Sequence, residues 1–232
     1  MNEVDGKTDA VTMPQPETLG GGRPAAGGDP VKREQILDGA QTVFMNLGFD
    51  AASMNDITRE AGVSKGTLYV YFKNKEDLFA AIIERQKLRI FGMLQEVLER
   101  KLPVAETLYD FGLIFTTHLL SDKAICGARM VIAVIDRMPE LANLFLSSGP
   151  NSGPTKLANY LKKQVELGQL QELDDPMLAA RQFGDLCLAG LFRPRLFGEL
   201  REPPSREKVE KNVSSAVRLF MNTYGPQRLD AR

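Results

Sequence analysis

Lys65, Thr67, Tyr69 and Tyr71 crowd into seven residues of the stretch Ser53 to Lys75, and none of them is needed to bury a short helix there. Leu68 and Phe72, at helical spacing, supply its apolar face. An amine, a hydroxyl and two phenols projecting from the other side are hydrogen-bond and stacking groups on a segment that could rest in a DNA major groove. Arg59, Lys65, Lys73 and Lys75 make the stretch locally basic in a chain of net charge −1, and local positive charge meets phosphate. The competing reading, that a tyrosine packs under the following helix, applies chiefly to Tyr71.

Two helices joined by a tight turn would position these groups. Ser53 with Asp56 reads as an N-cap and its acidic return partner, so a first helix runs Met54 to Ala61 with Ile57 and Ala61 on its inner face. Gly62 suits the left-handed position that ends a helix. Val63 can plug the space between the helices, and Ser64 can cap a second helix from Lys65 to Phe72. Ahead of the pair, Ile36, Ala40, Val43, Phe44 and Leu47 fall at 3.6 spacing and predict an amphipathic helix over Val31–Leu47, ending at Gly48. Asn74 can cap a long helix from Lys75 to about Leu102, stopped by Pro103, with Leu78, Ile82 and Phe79 toward the first core and Phe91, Leu94 and Leu98 further along.

The run from about Arg33 to Lys87 contains F-x-x-x-G-F-x-x-A-S-M-x-D-I at Phe44 to Ile57 and A-G-V-S-K-G-T-L-Y-x-Y-F-x-N-K-E-x-L-F at Ala61 to Phe79. It resembles, without gaps, the DNA-binding domain of TetR-family regulators, and the second half is similar, more loosely, to the ligand-binding domains of the AefR-like branch. The resemblance implies DNA contact by Ser53, Ser64, Lys65, Thr67, Tyr69 and Tyr71, a phosphate contact by Lys75, and close approach of the backbone at Gly66. It also implies a long connecting helix that swings when ligand binds, and a homodimer paired through the two main C-terminal helices.

With 232 residues, 43% hydrophobic and 25% charged, the chain has the composition of a soluble globular protein. No run approaches 18 apolar residues and no signal peptide is recognisable, so a cytoplasmic protein without a membrane segment is expected. Cys126 and Cys187 read as buried thiols, with a redox sensor or a disulfide as alternatives. One histidine and no C-x-x-C make a metal site improbable, and no nucleotide-binding glycine motif suggests a cofactor. Residues 1–29, rich in glycine and net −3 from five acids and two bases, predict a disordered tail. Gly22-Arg23-Pro24 resembles the basic arm of relatives that enters the minor groove, but a passive tail is the reading preferred here because the charge has the wrong sign for DNA.

Beyond Pro103 all periodicity is helical. Helices are expected over Val104–Leu120, Ala124–Met138, Glu140–Phe145, Thr155–Leu167, Asp175 to about Gly198 with a kink at Pro194, and Arg206–Tyr224, with a loop at Ser147–Pro154. His118 shares a face with Phe111 and Phe115. It reads either as a core histidine satisfied by a hydrogen bond or as the polar anchor of an apolar effector pocket that Met130, Val134, Phe183 and Cys187 could also line. The stripe Val209, Val213, Ala216, Val217 and Phe220 on the last helix fits core packing or dimerisation, and the resemblance favours dimerisation.

The expected architecture is all-α: a tail (1–29), a three-helix helix-turn-helix DNA-binding domain (30–77), and a helical ligand-binding and dimerisation domain (78–232). The expected function is a homodimeric transcriptional regulator, a repressor released from a palindromic operator by a small apolar or amphipathic effector. A helical binding protein or enzyme with an incidental helix-turn-helix lacks any nucleophile–base pair, paired carboxylates or metal spacing. A sequence-independent DNA-coating protein would need a larger excess of Lys and Arg.

Overall fold

The computed structural model describes residues 28–146 and 152–226. The tail, apart from its last two residues, the basic arm and most of the loop after Leu146 lie outside the described residues. Among the described residues there are eleven helices and no strand: α1 (Pro30–Ala51), α2 (Met54–Ala61), α3 (Lys65–Tyr71), α4 (Lys75–Leu98), α5 (Val104–Leu119), α6 (Asp122–Val134), α7 (Pro139–Leu146), α8 (Gly153–Glu166), α9 (Pro176–Leu188), α10 (Phe192–Phe197) and α11 (Arg206–Tyr224).

Local signals set most of these boundaries. Asp29 caps α1 by accepting from the backbone N–H groups of Val31 and Lys32. Serines 53, 64, 121, 152 and 205 and Asn74 each cap the helix that follows them. Gly48 interrupts α1 with φ 77°, a conformation that costs glycine nothing, and the chain then turns Phe49 back into the core. Leu47, expected inside, is instead exposed, and Leu37 takes a place in the buried stripe.

Two apolar clusters result. The first holds α1 to α3 and the N-terminal half of α4, with Phe44, Phe49 and Phe79 in mutual ring contact. Val131 and Val134 of α6 and Leu141 and Ala142 of α7 complete it, so part of the C-terminal half is built into the N-terminal core. The second holds the C-terminal half of α4 with α5, α8, α9 and α11. Helix α4 contributes to both, as expected, but ends at Leu98, four residues short of Leu102, where Glu99 takes the C-cap position.

The long helix expected from Asp175 to Gly198 is two. The break falls at Ala189 and Gly190 (φ 70°), not at Pro194, which sits in the first turn of α10, where a missing N–H leaves no helical bond unmade. Arg195 then fastens α10. Its buried guanidinium donates to the carbonyls of Leu120, Leu200 and Arg201 and pairs with Asp122.

Candidate nucleic-acid interface and effector cavity

Helix α2 is held at its start by a reciprocal pair: Ser53 Oγ accepts from the Asp56 N–H and Asp56 Oδ2 accepts from the Ser53 N–H, both at 3.2 Å. The Ser53 hydroxyl, donating to the same carboxylate, holds Asp56 below its ordinary pKa. At the far end Gly62 adopts φ 62° and its N–H closes on Arg59 O. Across the interface with α1, a Cβ on Gly39 would lie 2.7 Å from the Ala61 backbone, so that glycine sets how closely the two helices approach.

The turn delivers α3 with Leu68 and Phe72 buried and Ser64, Lys65, Gly66 and Tyr69 exposed. Ser64 Oγ accepts from the Thr67 N–H at 3.0 Å and shares a hydrogen bond with the half-buried Thr67 hydroxyl, so these two side chains fix the start of the helix. Tyr69, 46% exposed, belongs to neither apolar cluster, so core packing does not explain a phenol there. A Cβ on Gly66 would meet only Ser64 Oγ at 3.8 Å; the fold itself has no steric need of that glycine. Tyr71 differs: it is half-buried and packs on the first core, the competing reading of the two.

Lys75 also departs from expectation. Its ammonium turns inward and donates to the carbonyls of Phe49, Asp50 and Ala52 at 2.9, 3.1 and 3.4 Å, 4.7 Å from the Phe49 ring centre. These are the unpaired carbonyls at the end of α1, and a cation there is favoured by the helix dipole. The lysine pins α4 to α1 rather than facing outward.

Between the two cores lies a cavity of about 370 Å³ walled by α1, α4, α5, α6 and α7, with the start of α8, Leu188 at the end of α9 and Phe192 of α10. Phe115, His118 and Met130 line it, as expected. Phe111, Val134, Phe183 and Cys187 do not; each is buried in a core, and burial pushes the Cys187 thiol up to about 12, leaving it inert. Sequence reasoning missed the larger part of the wall, Ile83, Gln86, Lys87, Ile90 and Phe91 of α4 and Gln41 and Met45 of α1. The positions Ile83, Lys87, Ile90, Phe91 and Leu94, at i, i+4, i+7, i+8 and i+11, do mark one face of α4. The lysine within that stripe was the available signal.

The cavity is mostly apolar, with donors set into it. Half-buried His118 makes no side-chain hydrogen bond among the described residues, and its pKa is lowered, by burial first and then by Arg89 nearby. Lys87 donates to Leu144 O at 2.6 Å, and burial lowers its pKa against the opposing effect of Glu84. Phe115 and Phe111 both border a second cavity of about 240 Å³ toward α8 and α9, where the Phe115 ring lies against Gly184.

On α11, Val209, Val213, Ala216 and Phe220 are buried against α5 and α9 of the same chain, and Val217 is half-buried beside them. A Cβ on Gly112 of α5 would lie 2.7 Å from Val213. Val209, Val213, Ala216 and Phe220 therefore belong to the protomer's own core, while Val217 keeps part of its surface open beside Ser214 and Arg218. Ala179, Ala180 and Gly184 of α9 are likewise buried within the chain. The outward faces of the two helices carry Leu178, Gln182 and Asp185 on α9 and Lys211, Arg218, Leu219 and Asn222 on α11.

Residues 36–82 match the family model of the tetR family of bacterial regulatory proteins, and residues 106–226 match that of the C-terminal domain of AefR-like transcriptional repressors. A fatty acid metabolism regulator protein of Bacillus subtilis (strain 168) is 31% identical over 160 residues, 67% of this chain and 79% of that protein. A TetR-family transcriptional regulator from Mesorhizobium loti has the same fold with a TM-score of 0.76 at 25% identity, over 84% of this chain and 97% of its own. The flavonoid-responsive regulator FrrA gives 0.63 at 32% identity, over 86% and 100%.

Proposed function

Because this chain belongs to the TetR family of bacterial regulators, and is accordingly a ligand-responsive DNA-binding transcriptional regulator, we propose that it acts as a repressor whose α3 reads a palindromic operator and is withdrawn by an amphipathic effector held between the two cores. The observation that carries the reading is the outward face of α3. Lys65, Thr67 and Tyr69, with the sterically unneeded Gly66 between them, stand on a stub whose packing uses Leu68, Phe72 and the half-buried Tyr71. Ser53 and Ser64 orient the helices and present backbone N–H groups to phosphate. Tyr71 and Lys75 hold the stub in place from inside.

TetR-family regulators act as dimers. With the α11 stripe consumed internally, the partner surface falls to the outward faces of α9 and α11, where Leu178 and Leu219 are each about half exposed. Two α3 helices must then lie about 34 Å apart, or a multiple, to enter successive major grooves. Among the described residues no helix is long and apolar enough to cross a membrane, which suits a cytoplasmic regulator. An effector binding the released conformation about 100-fold better would shift the equilibrium by roughly 2.7 kcal/mol.

The test is selection of bound duplexes from a random-sequence pool at fixed salt, followed by light scattering of the complex. Recovery of one inverted-repeat site, bound two-fold symmetrically, is expected. Duplexes without a shared sequence, or binding by monomers that survives added competitor DNA, would overturn the reading.

A further inference from the structure

The cavity is not confined to the C-terminal half. Gln41, Phe44 and Met45 of α1 and Phe79 of α4 form part of its wall, so whatever fills it touches the DNA-binding head directly. Among these residues Gln41 is the polar one, and it is more than nine-tenths buried. Its Oε1 accepts from Arg85 Nη2 at 2.9 Å, which fixes which end of the amide is oxygen. The other end, Nε2 with two N–H donors, has no partner among the described residues, and Gln41 forms part of the cavity wall. An amide nitrogen left without a protein acceptor at an apolar cavity is a ready donor for a ligand oxygen.

The charge of the wall selects the same kind of ligand. Among the described residues its titratable members are Lys87, His118 and Lys123, with Arg89 close to His118, and no Asp or Glu lines it. Glu84, the acid whose field reaches Lys87, is exposed and outside the lining. A cationic ligand would find no counter-charge in the wall, whereas an anionic one would find several donors and an apolar body of wall for its tail.

Arg85 of α4 holds the oxygen end of that amide and so ties α1 to α4. Besides Gln41 it bonds Glu34 Oε2 at 2.9 Å and Asp38 Oδ1 at 2.8 Å, so one guanidinium on α4 grips three residues along one face of α1. We propose that Gln41 is the contact through which the head itself recognises the effector, an amphipathic molecule with an anionic oxygen head, its Nε2 donating to that oxygen while Oε1 stays on Arg85. A shift of the Gln41 amide toward the ligand moves α1 against α4 through Arg85, without passing through the distal half of α4. This inference rests on the effector cavity proposed above, and the two can fail separately.

The test uses the full chain, 15N-labelled in its glutamine side chains, titrated with decanoate, decanol and decyltrimethylammonium below their micelle concentrations, with calorimetry for affinity. Decanoate is expected to bind at least tenfold tighter than the ammonium probe and to shift the Gln41 side-chain resonances. Gln41→Glu keeps an oxygen for Arg85 but replaces the donor by an acceptor; it should weaken decanoate at least tenfold and move the preference toward the ammonium probe. A merely structural role for Gln41 would weaken all three probes alike. Decanoate binding with the Gln41 resonances unmoved, or equal affinity for both charged probes, overturns the inference and leaves the cavity standing. Binding of none of the three overturns both. Should Gln41→Glu not fold, the resonance shift in the unaltered chain decides.

Discussion

Helix α3 is seven residues long and buries one side chain of its own, Leu68; α11 is 19 residues long and buries four, Val209, Val213, Ala216 and Phe220. Both carry a regular apolar pattern, and in both the functional question is which face is left over. On α3 the leftover face is polar and aromatic and contains a glycine that the fold does not need, so an outside partner is written into the residue types themselves. On α11 the regular stripe is consumed by α5 and α9, and the leftover face is an ordinary mixture of Lys211, Arg218, Leu219 and Asn222. Periodicity reports that a face is buried. It does not report whether the covering surface belongs to the same chain.

The largest effect that bears on this contrast is at Val213, which is fully buried with its methyls against Gly112. Val213→Glu places an unpaired carboxylate in the second core and should destabilise the protomer by more than about 4 kcal/mol. Loss of the helical circular dichroism signal or a collapse of the melting temperature is the expected outcome. A folded, monomeric Val213→Glu would return the stripe to the dimer interface and break the comparison.

Lys75 separates inward from outward cations. Lys75→Met keeps the stem over Phe49 but deprives three carbonyls of their donor, at a cost of about 2 kcal/mol. Melting temperature and operator affinity should therefore fall together. A lysine acting on phosphate from outside would instead leave the melting temperature alone and reduce the salt dependence of DNA binding.

The same division decides what was legible in the sequence. The caps at Ser53, Ser64 and Asn74 and the stop at Gly62 act through atoms two or three residues away, so residue order is enough to read them. The ends of α2 and α11 followed from such signals, as did the all-α architecture, whereas Gly48, expected to end the first helix, only interrupts it before Ala51. The direction of Lys75 depends on Phe49, Asp50 and Ala52, more than 20 residues distant, and no local rule supplies that. The break at Ala189–Gly190 was overlooked because Pro194 is the stronger breaker in isolation, although a proline in the first turn of a helix breaks nothing. The cavity was the least legible part. Phe115, His118 and Met130 were found by their chemistry, whereas Gln41 and Phe91 line it only because α1 and α4 converge there.

Tyr69 gives the cleaner test of the outward face, with a smaller effect than either of these. Tyr69→Ala should weaken operator binding about tenfold, equivalent to about 1.4 kcal/mol, and shift stability by less than about 0.5 kcal/mol, since the residue is 46% exposed and belongs to neither apolar cluster. The salt slope should change little, because a phenol neutralises no phosphate. Unchanged affinity at fixed salt, measured by fluorescence anisotropy, would assign Tyr69 to solvent and leave Lys65 and Thr67 as the reading residues.

The smallest effect separates the charge held on the surface of the head from the charge held inside the cavity. Burial, and then Arg89, lower the His118 pKa below its ordinary 6.5, so in the folded chain the imidazole stays neutral to lower pH than in the unfolded chain. As pH falls below about 6.5 the unfolded state takes up a proton that the folded state does not. Protonation therefore favours unfolding, and the loss grows until the folded-state pKa is reached and then levels off. One proton limits the slope to about 1.4 kcal/mol per pH unit, and solvent at this half-buried site reduces it. His118→Gln removes the titration, so the melting temperature of the unaltered chain should drop more than that of the variant between pH 7 and pH 5. An anionic probe in the cavity should diminish the difference, because a negative head beside the imidazole raises its pKa back toward 6.5. If the two proteins lose stability in parallel whether or not decanoate is present, His118 is not the half-buried neutral base assigned to it, and the cavity's polar side chains reduce to Gln41, Gln86, Ser152 and the two lysines.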